Sequence, residues 1–344
     1  MLIMKKIRIG HIGVSHDHSS GTLACVRKYP DVFDVIGIVE KNDAVRERWQ
    51  NAPEYRDLPW MTEDELYNAG VDAVLVEGFE LDLPYDAHTW LKKGVHVHMD
   101  KPAGGDIHEY EALLRLAKQK NLTVHLGYMF RYNPAWLDCL ALLEEGRLGE
   151  IFEVDAIMNT AHALEKKKWL KHFAAGNMFF LGCHMADLVF RLLGTPEKIT
   201  VYNRSTGIDG LDVIDYGHAV WEYPNAVATI RATSTEINGG SRRQLVVCGN
   251  KGTYQIMPLE SPTRTMYSDT TMLRHHGSYS DDYASEERKL PPVAGRYDDM
   301  MLDFAAMVRG EKQNPYSYEY EYQLHRCILA SCGEDIDYHS KFHL

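Results

Sequence analysis

Short apolar runs alternate with helical periodicity through the first 126 positions of the chain. Lys6 to Val14, Val35 to Val39, Ala73 to Val76, Val95 to Met99 and Leu122 to Leu126 read as strands, being brief and rich in Val, Ile and Leu. Between them, Thr62 and Glu65 have the spacing of a capping box, and Gly70 follows as a helix stop. Tyr110, Leu113, Leu114 and Ala117 recur on one face of a longer helix. Strands separated by helices predict an α/β unit, a doubly wound parallel sheet over residues 1–126.

After Gly127 the texture changes. Ile151 to Met158, Lys198 to Asn203, His218 to Tyr223, Val227 to Thr233 and Gln244 to Cys248 are longer strand-like stretches, with turn chemistry at Pro224-Asn225 and Asn250-Lys251-Gly252. Helical patterns near 134–145, 177–193, 298–309 and 318–332 are placed over one face of this sheet. The expectation for residues 127–344 is an α+β domain on a mostly antiparallel open sheet. The polar stretch 258–296 is too long for a compact connector and reads as an excursion, contact arm or loop.

A chain of 344 residues with 45% hydrophobic content can fill two cores. Its net charge of -12 argues against a nucleic-acid partner, since phosphate binders concentrate Lys and Arg. Cys25, Cys139, Cys183, Cys248, Cys327 and Cys332 form no CxxC pair, which fits reduced thiols in the cytoplasm. Lys5, Lys6 and Arg8 interrupt the apolar N-terminus, so neither a signal peptide nor a membrane span is expected.

A dinucleotide site needs a tight turn from strand to helix whose backbone meets a pyrophosphate. The candidate turn runs from Gly10 to Gly21; with Gly13 as the first glycine of the pattern, Ser15 takes the second place and His18 the third. Ser19 and Ser20 are candidate helix caps there. Glu40 ends the second strand, where a carboxylate accepts from a ribose and repels a 2′-phosphate, favouring NAD over NADP. Lys41 beside it works the other way, and a surface carboxylate at a strand end is the alternative reading of Glu40. Lys101 stands where the VHVHM strand ends and Pro102 turns the chain, which puts its ammonium at a strand's carboxyl end.

These stretches resemble the Gfo/Idh/MocA oxidoreductases over nearly the whole length. The resemblance lies in the N-terminal strand and turn, VDAVLVEG at 71–78, GVHVHMDKP where the family has GKHVLCEKP, GYMFRYNPAW at 127–136, GRLGEI at 146–151 and GNMFFLGCHMADLVFRLLG at 176–194. VVCGNKGTYQI at 246–256 and the YDDMMLDFAAMVRGEKQNP pattern ending at 315 continue it. It implies a Rossmann domain, an open C-terminal sheet used for homo-oligomer contacts as a dimer or tetramer, and a nicotinamide cofactor serving a sugar or polyol. It also implies that Lys101 hydrogen-bonds the reacting oxygen and that His184 acts with it in proton transfer. Many members carry an aspartate four residues before that histidine; this chain has Phe180, and Asp187 is the alternative acid. Asp100 likewise shortens the usual motif glutamate.

Gly13, Ser15, His16, His18, Glu40 and Lys101 are therefore the expected cofactor residues. Tyr128, Arg131, Asn133, Trp169 and His184 are the expected substrate contacts, with interdomain structural bonding an equal reading for the first three. The lysines around Trp169, at 166, 167, 168 and 171, read as a solvated charged loop. His16 with His18, and His96 with His98, form HxH pairs, but no metal-ligand set is assigned: the first pair lines the phosphate turn and the second packs against neighbouring elements. Two rival functions stay open. One is a relative that keeps NAD and cleaves or epimerises glycosides by transient oxidation; the other is a ligand-binding homologue without catalysis.

Overall fold

The five apolar runs of the N-terminal part form one parallel sheet in the computed structural model, which describes residues 5–260, 271–275, 284–288, 290 and 295–340. Its strands are β1 (Ile7–Ile12), β2 (Phe33–Val39), β3 (Ala73–Val76), β4 (His96–Met99) and β5 (Val124–Leu126), in the order β2-β1-β3-β4-β5. All neighbouring pairs are parallel. β3 is buried at every position, as a strand covered on both faces must be.

The helices follow the local signals. Thr62 and Glu65 close a reciprocal capping box before the helix Glu63–Asn68, and Gly70 beyond it adopts φ +81. Tyr110, Leu113, Leu114 and Ala117 are the buried face of the helix Ile107–Lys120, which Asp106 caps through the amides of His108 and Glu109. Ser19 departs from expectation. The helix Ser19–Lys28 starts without a side-chain cap, because the Ser19 hydroxyl bonds His11 Nε2 and the Tyr55 hydroxyl, each at 2.8 Å.

The second sheet has eight strands among the described residues: β6 (Ile151–Ile157), β7 (Lys198–Val201), β8 (Tyr216–Glu222), β9 (Val227–Thr233), β10 (Gln244–Gly249), β11 (Gly252–Ile256), β12 (Thr271–His275) and β13 (Ala284–Arg288). Their order is β13-β12-β11-β10-β6-β9-β8-β7, and β6 with β9 is a parallel pair in an otherwise antiparallel arrangement. The sequence pattern does not predict β11, and it reads 258–296 as an excursion, contact arm or loop. Two segments of that stretch instead extend the sheet as β12 and β13, and much of the remainder lies outside the described residues.

The chain divides into two compact units, one from residues 5–128 with 297–322, the other from 129–296 with 323–340. The helix Asp298–Val308 accordingly serves the parallel sheet and not the second one. Asp298 accepts from the Lys28 ammonium, from the Tyr29 hydroxyl at 2.8 Å and from the Cys25 thiol at 3.4 Å, and Phe304 stacks on His125 at 5.6 Å. Periodicity identifies a helix but does not say which sheet it covers. All six cysteines are free thiols. Among the described residues no helix is long and apolar enough to cross a membrane.

Candidate active site

The turn after β1 is built by close approach. Gly13 has φ +77, and a Cβ there would lie 2.4 Å from the Cα of Gly78, so only glycine fits the crossing of the two strand ends. The tight helix packing that a third glycine gives elsewhere falls to Gly21, where a Cβ would lie 2.6 Å from the Tyr297 ring. His18 at the formal third place is thus freed for other work. Ser15 is exposed on the turn. Glu40 holds the same turn from the end of β2: Oε2 accepts from the Val14 amide at 3.0 Å and Oε1 from the Asn42 amide at 2.9 Å. Lys41 bonds Asp86 at 2.7 Å and Glu63 at 3.0 Å.

Beneath the turn lies a buried polar cluster. His16 Nε2 donates to the Lys101 carbonyl at 3.0 Å, while its Nδ1 accepts the His18 amide at 3.1 Å. His18 Nδ1 is 3.0 Å from Asp100 Oδ2, and Asp100 Oδ1 accepts the Lys101 amide at 2.6 Å. Glu77 and Glu80, just past β3, stand 3.7 Å and 3.6 Å from the two nitrogens of His16. Burial, opposed in part by Asp100, pushes His16 down to about 3, so the imidazole is neutral. Burial also raises the Glu77 carboxyl, with the Asp100 charge adding to it. Asp100 goes the other way: burial works against its charge, but His16, His18 and Lys101 together hold it well below the usual carboxylate range.

Lys101 is fully buried at the end of β4, and its bond to Pro102 is cis. The sequence points to Asp100 only as the acid of the lysine motif and gives Glu77 and Glu80 no role. The parallel strands supply the missing signal, because they bring acids and histidines at their carboxyl ends side by side. The second HxH pair packs as expected: His96 Nδ1 accepts the Thr123 amide at 3.0 Å, and His98 meets His125 at 2.9 Å and Phe304 ring to ring.

In the second unit, His184 sits in the first turn of the helix Cys183–Leu193, directly after a π-helical turn, Met178–Gly182. Such turns cluster at functional sites. The ring is buried, with Phe130 edge-on at 5.0 Å. Arg131 binds Asp187 through Nε at 3.0 Å to both carboxylate oxygens and through Nη2 at 2.7 Å. Asp187, the alternative partner for His184, is thus committed to Arg131. Asn133 caps the helix Pro134–Glu144 and donates to the Leu259 carbonyl at 3.1 Å. Tyr128 is buried.

Phe180 belongs to an aromatic group. Trp169 meets it edge-on at 5.2 Å, Phe173 stacks on it at 6.1 Å, and the Lys166 ammonium lies 3.5 Å and 4.4 Å from the Trp169 and Phe180 ring centres. Lys167 is buried against Asp209. Only Lys168 and Lys171 keep the exposed character the sequence suggests for this stretch.

Residues 136–255 match the family model for the GFO/IDH/MocA C-terminal domain. The uncharacterized oxidoreductase C115.03 of Schizosaccharomyces pombe is 24% identical over 239 residues, 65% of this chain and 64% of that protein. The chain thus spans less than two thirds of that relative's length. Scyllo-inositol 2-dehydrogenase (NADP(+)) IolW of Bacillus subtilis is 26% identical over 157 residues, 45% of this chain and 44% of its own. Among solved structures, UDP-N-acetylglucosamine 3-dehydrogenase GnnA from Acidithiobacillus ferrooxidans aligns over 95% of this chain and 96% of its own, with a TM-score of 0.76 and 18% identity. An oxidoreductase from Thermotoga maritima gives 0.76, with 20% identity and the same coverage. At these identities the structures show the shared fold.

Proposed function

The chain belongs to the Gfo/Idh/MocA family of oxidoreductases, and we propose that it transfers a hydride between a nicotinamide dinucleotide and a sugar, polyol or cyclitol. The observation that carries the reading is the turn after β1, where Gly13 crosses Gly78 and Glu40 fixes the Val14 amide beside it. Gly13 and Ser15 form the pyrophosphate turn in this proposal, and His16 and His18 hold it from below. Glu40 supports NAD over NADP, and so does the commitment of Lys41 to Asp86 and Glu63, which draws that cation away from a 2′-phosphate. The relative IolW carries NADP(+) in its name, and the paired NADH and NADPH titrations below decide between the two coenzymes.

When bound, the nicotinamide supplies the hydride acceptor or donor. The protein's part is to hold the substrate oxygen and move its proton. Lys101 is assigned the hydrogen bond to that oxygen and His184 the proton. Tyr128 and Trp169 offer apolar faces for a sugar ring, while Arg131 and Asn133 support the segment that carries substrate contacts. A small-molecule substrate and homo-oligomer assembly in the cytoplasm complete the proposal.

Fluorescence titration with NADH and NADPH, followed by a polyol panel, tests it. Saturable NADH binding and turnover lost in Lys101→Met are the expected results; failure of both nucleotides to bind would remove the dehydrogenase reading. The commitment of Asp187 to Arg131, with Phe180 in place of an acid, favours a second reading: a homologue that binds ligand without turnover. NADH binding with no polyol oxidised at any pH would select it.

A further inference from the structure

Two histidines of the turn after β1 reach down to one residue at the end of β4. Burial keeps His16 neutral, so its ring carries one proton, and a carbonyl can only accept; that proton is on Nε2, which donates to the Lys101 carbonyl at 3.0 Å. Its Nδ1 accepts the His18 amide at 3.1 Å, so both ring nitrogens are engaged and the ring is fixed. His18 Nδ1 donates to Asp100 Oδ2 at 3.0 Å, and Asp100 Oδ1 accepts the Lys101 amide at 2.6 Å. The carbonyl and the amide of Lys101 are thus both tied to the turn, the first directly and the second through a carboxylate.

The surroundings make this grip rigid. Pro102 has no N–H, so the chain beyond Lys101 cannot be fastened through the next amide. Asp100 is held at its own amide by the Val76 carbonyl at 3.1 Å, and Gly127 passes so close that a Cβ there would lie 2.5 Å from Asp100 Oδ1. The His16 amide donates to the Glu77 carbonyl at 3.1 Å, which anchors the turn to the end of β3. His16, His18, Asp100 and Lys101 are all buried. Hydrogen bonds to a carboxylate are among the strong ones, so the link through Asp100 is no looser than the direct one.

We propose that His16 and His18 are positioning residues for Lys101: they hold its backbone from both sides and so place the amine that meets the substrate oxygen. The proposal rests on the dehydrogenase reading of Lys101. It gives the turn two tasks, since the segment assigned to the pyrophosphate also fixes the strand end that carries the amine. A displacement of about 1 Å at a reacting group can cost roughly 100-fold in rate, so a bond lost at the Lys101 peptide is felt in turnover although neither histidine takes part in the chemistry.

A pair of amide substitutions at each histidine tests it, because a glutamine amide nitrogen reaches the place of Nε2 and an asparagine amide nitrogen that of Nδ1. His16→Gln keeps the bond to Lys101 and His16→Asn loses it. At the second histidine the order reverses, with His18→Asn keeping the bond to Asp100 and His18→Gln losing it. Initial rates with saturating NAD⁺ and myo-inositol, sorbitol or mannitol should show kcat about 100-fold lower in His16→Asn and His18→Gln, and within about threefold of wild type in the other two. NADH affinity, titrated by fluorescence, should be alike within each pair. Equal kcat within each pair would overturn the proposal, as would a difference confined to NADH affinity, which would mark the histidines as serving the turn alone. Where a variant does not fold, the pair at the other position decides. A wild-type protein that oxidises none of the polyols would remove the dehydrogenase reading and leave this inference to crystal structures. Lys101 Nζ displaced by about 1 Å in the variants that lose a bond, and not in those that keep it, supports the inference; an amine unmoved in all four overturns it.

Discussion

The guanidinium of Arg131 and the carboxylate of Asp187 form a buried pair, with Nε within 3.0 Å of both oxygens and Nη2 2.7 Å from one of them. Burial raises the Asp187 carboxyl even against the pull of Arg131, so this pair holds its charges at a cost. Removing one partner leaves the other charged and dry. Arg131→Ala is expected to lower unfolding free energy by about 3–5 kcal/mol, while the double change Arg131→Met with Asp187→Leu recovers most of it. Urea denaturation of the three variants checks this. A near-neutral Arg131→Ala with a raised KM would instead mark a substrate clamp.

The salt links of Lys41 lead to a prediction about coenzyme choice. Asp86→Ala frees the ammonium from one of its two acidic partners beside the end of β2. An exposed pair of this kind is worth up to about 1 kcal/mol, so the affinity ratio should move toward NADPH by roughly fivefold or less. Parallel fluorescence titrations measure the ratio. A shift toward NADH would place Lys41 away from the 2′ position.

Acid should destabilise the first unit through its neutral histidines. Burial, aided by His98, pushes His11 down to about 3; burial, opposed by Asp100, pushes His98 down to about 4. The unfolded chain takes up these protons below about pH 6.5 and the folded one does not, so stability is intact above that pH and falls from there toward about pH 4. At pH 5 each ring accounts for roughly 2 kcal/mol of the loss. Denaturation curves at several pH values should show a shallower decline in His98→Gln. Identical slopes in the two proteins would contradict the assignment.

Phe180 offers a test of catalytic capacity. Phe180→Asp places a carboxylate one helical turn before His184, and Lys166, 4.4 Å from the ring it replaces, provides a nearby cation. Loss of the contacts with Trp169 and Phe173 should lower stability, by about 2–4 kcal/mol on the scale of large core truncations. Turnover of a polyol should rise by about tenfold or more if proton transfer limits the native protein. Initial rates at saturating nucleotide decide it, and an unchanged rate would show that the acid is not what the site lacks.

Much of the fold was legible because it is written locally. The strand patterns at 73–76 and 227–233 match β3 and β9 residue for residue, and the Thr62–Glu65 spacing gives a real capping box. What remained hidden depends on distant partners. Ser19 looks like a cap until His11 and Tyr55 are seen to engage its hydroxyl, and the helix Asp298–Val308 carries no local sign that Cys25, Lys28 and Tyr29 await it. For the site, motifs point to Lys101 and His184 as candidates, but the assembly of His16, His18, Glu77 and Asp100 needs the parallel strand order. The π-turn before His184 has no sequence period of its own to announce it.

β6 and β9 lie side by side and run the same way, yet about seventy residues separate them in the chain, and the π-turn, the His184 helix and Trp169 all belong to that crossover. The helix Cys183–Leu193 packs back on both strands. Evolution can therefore lengthen, shorten or rewrite the loops of the crossover without moving either strand in its ladder.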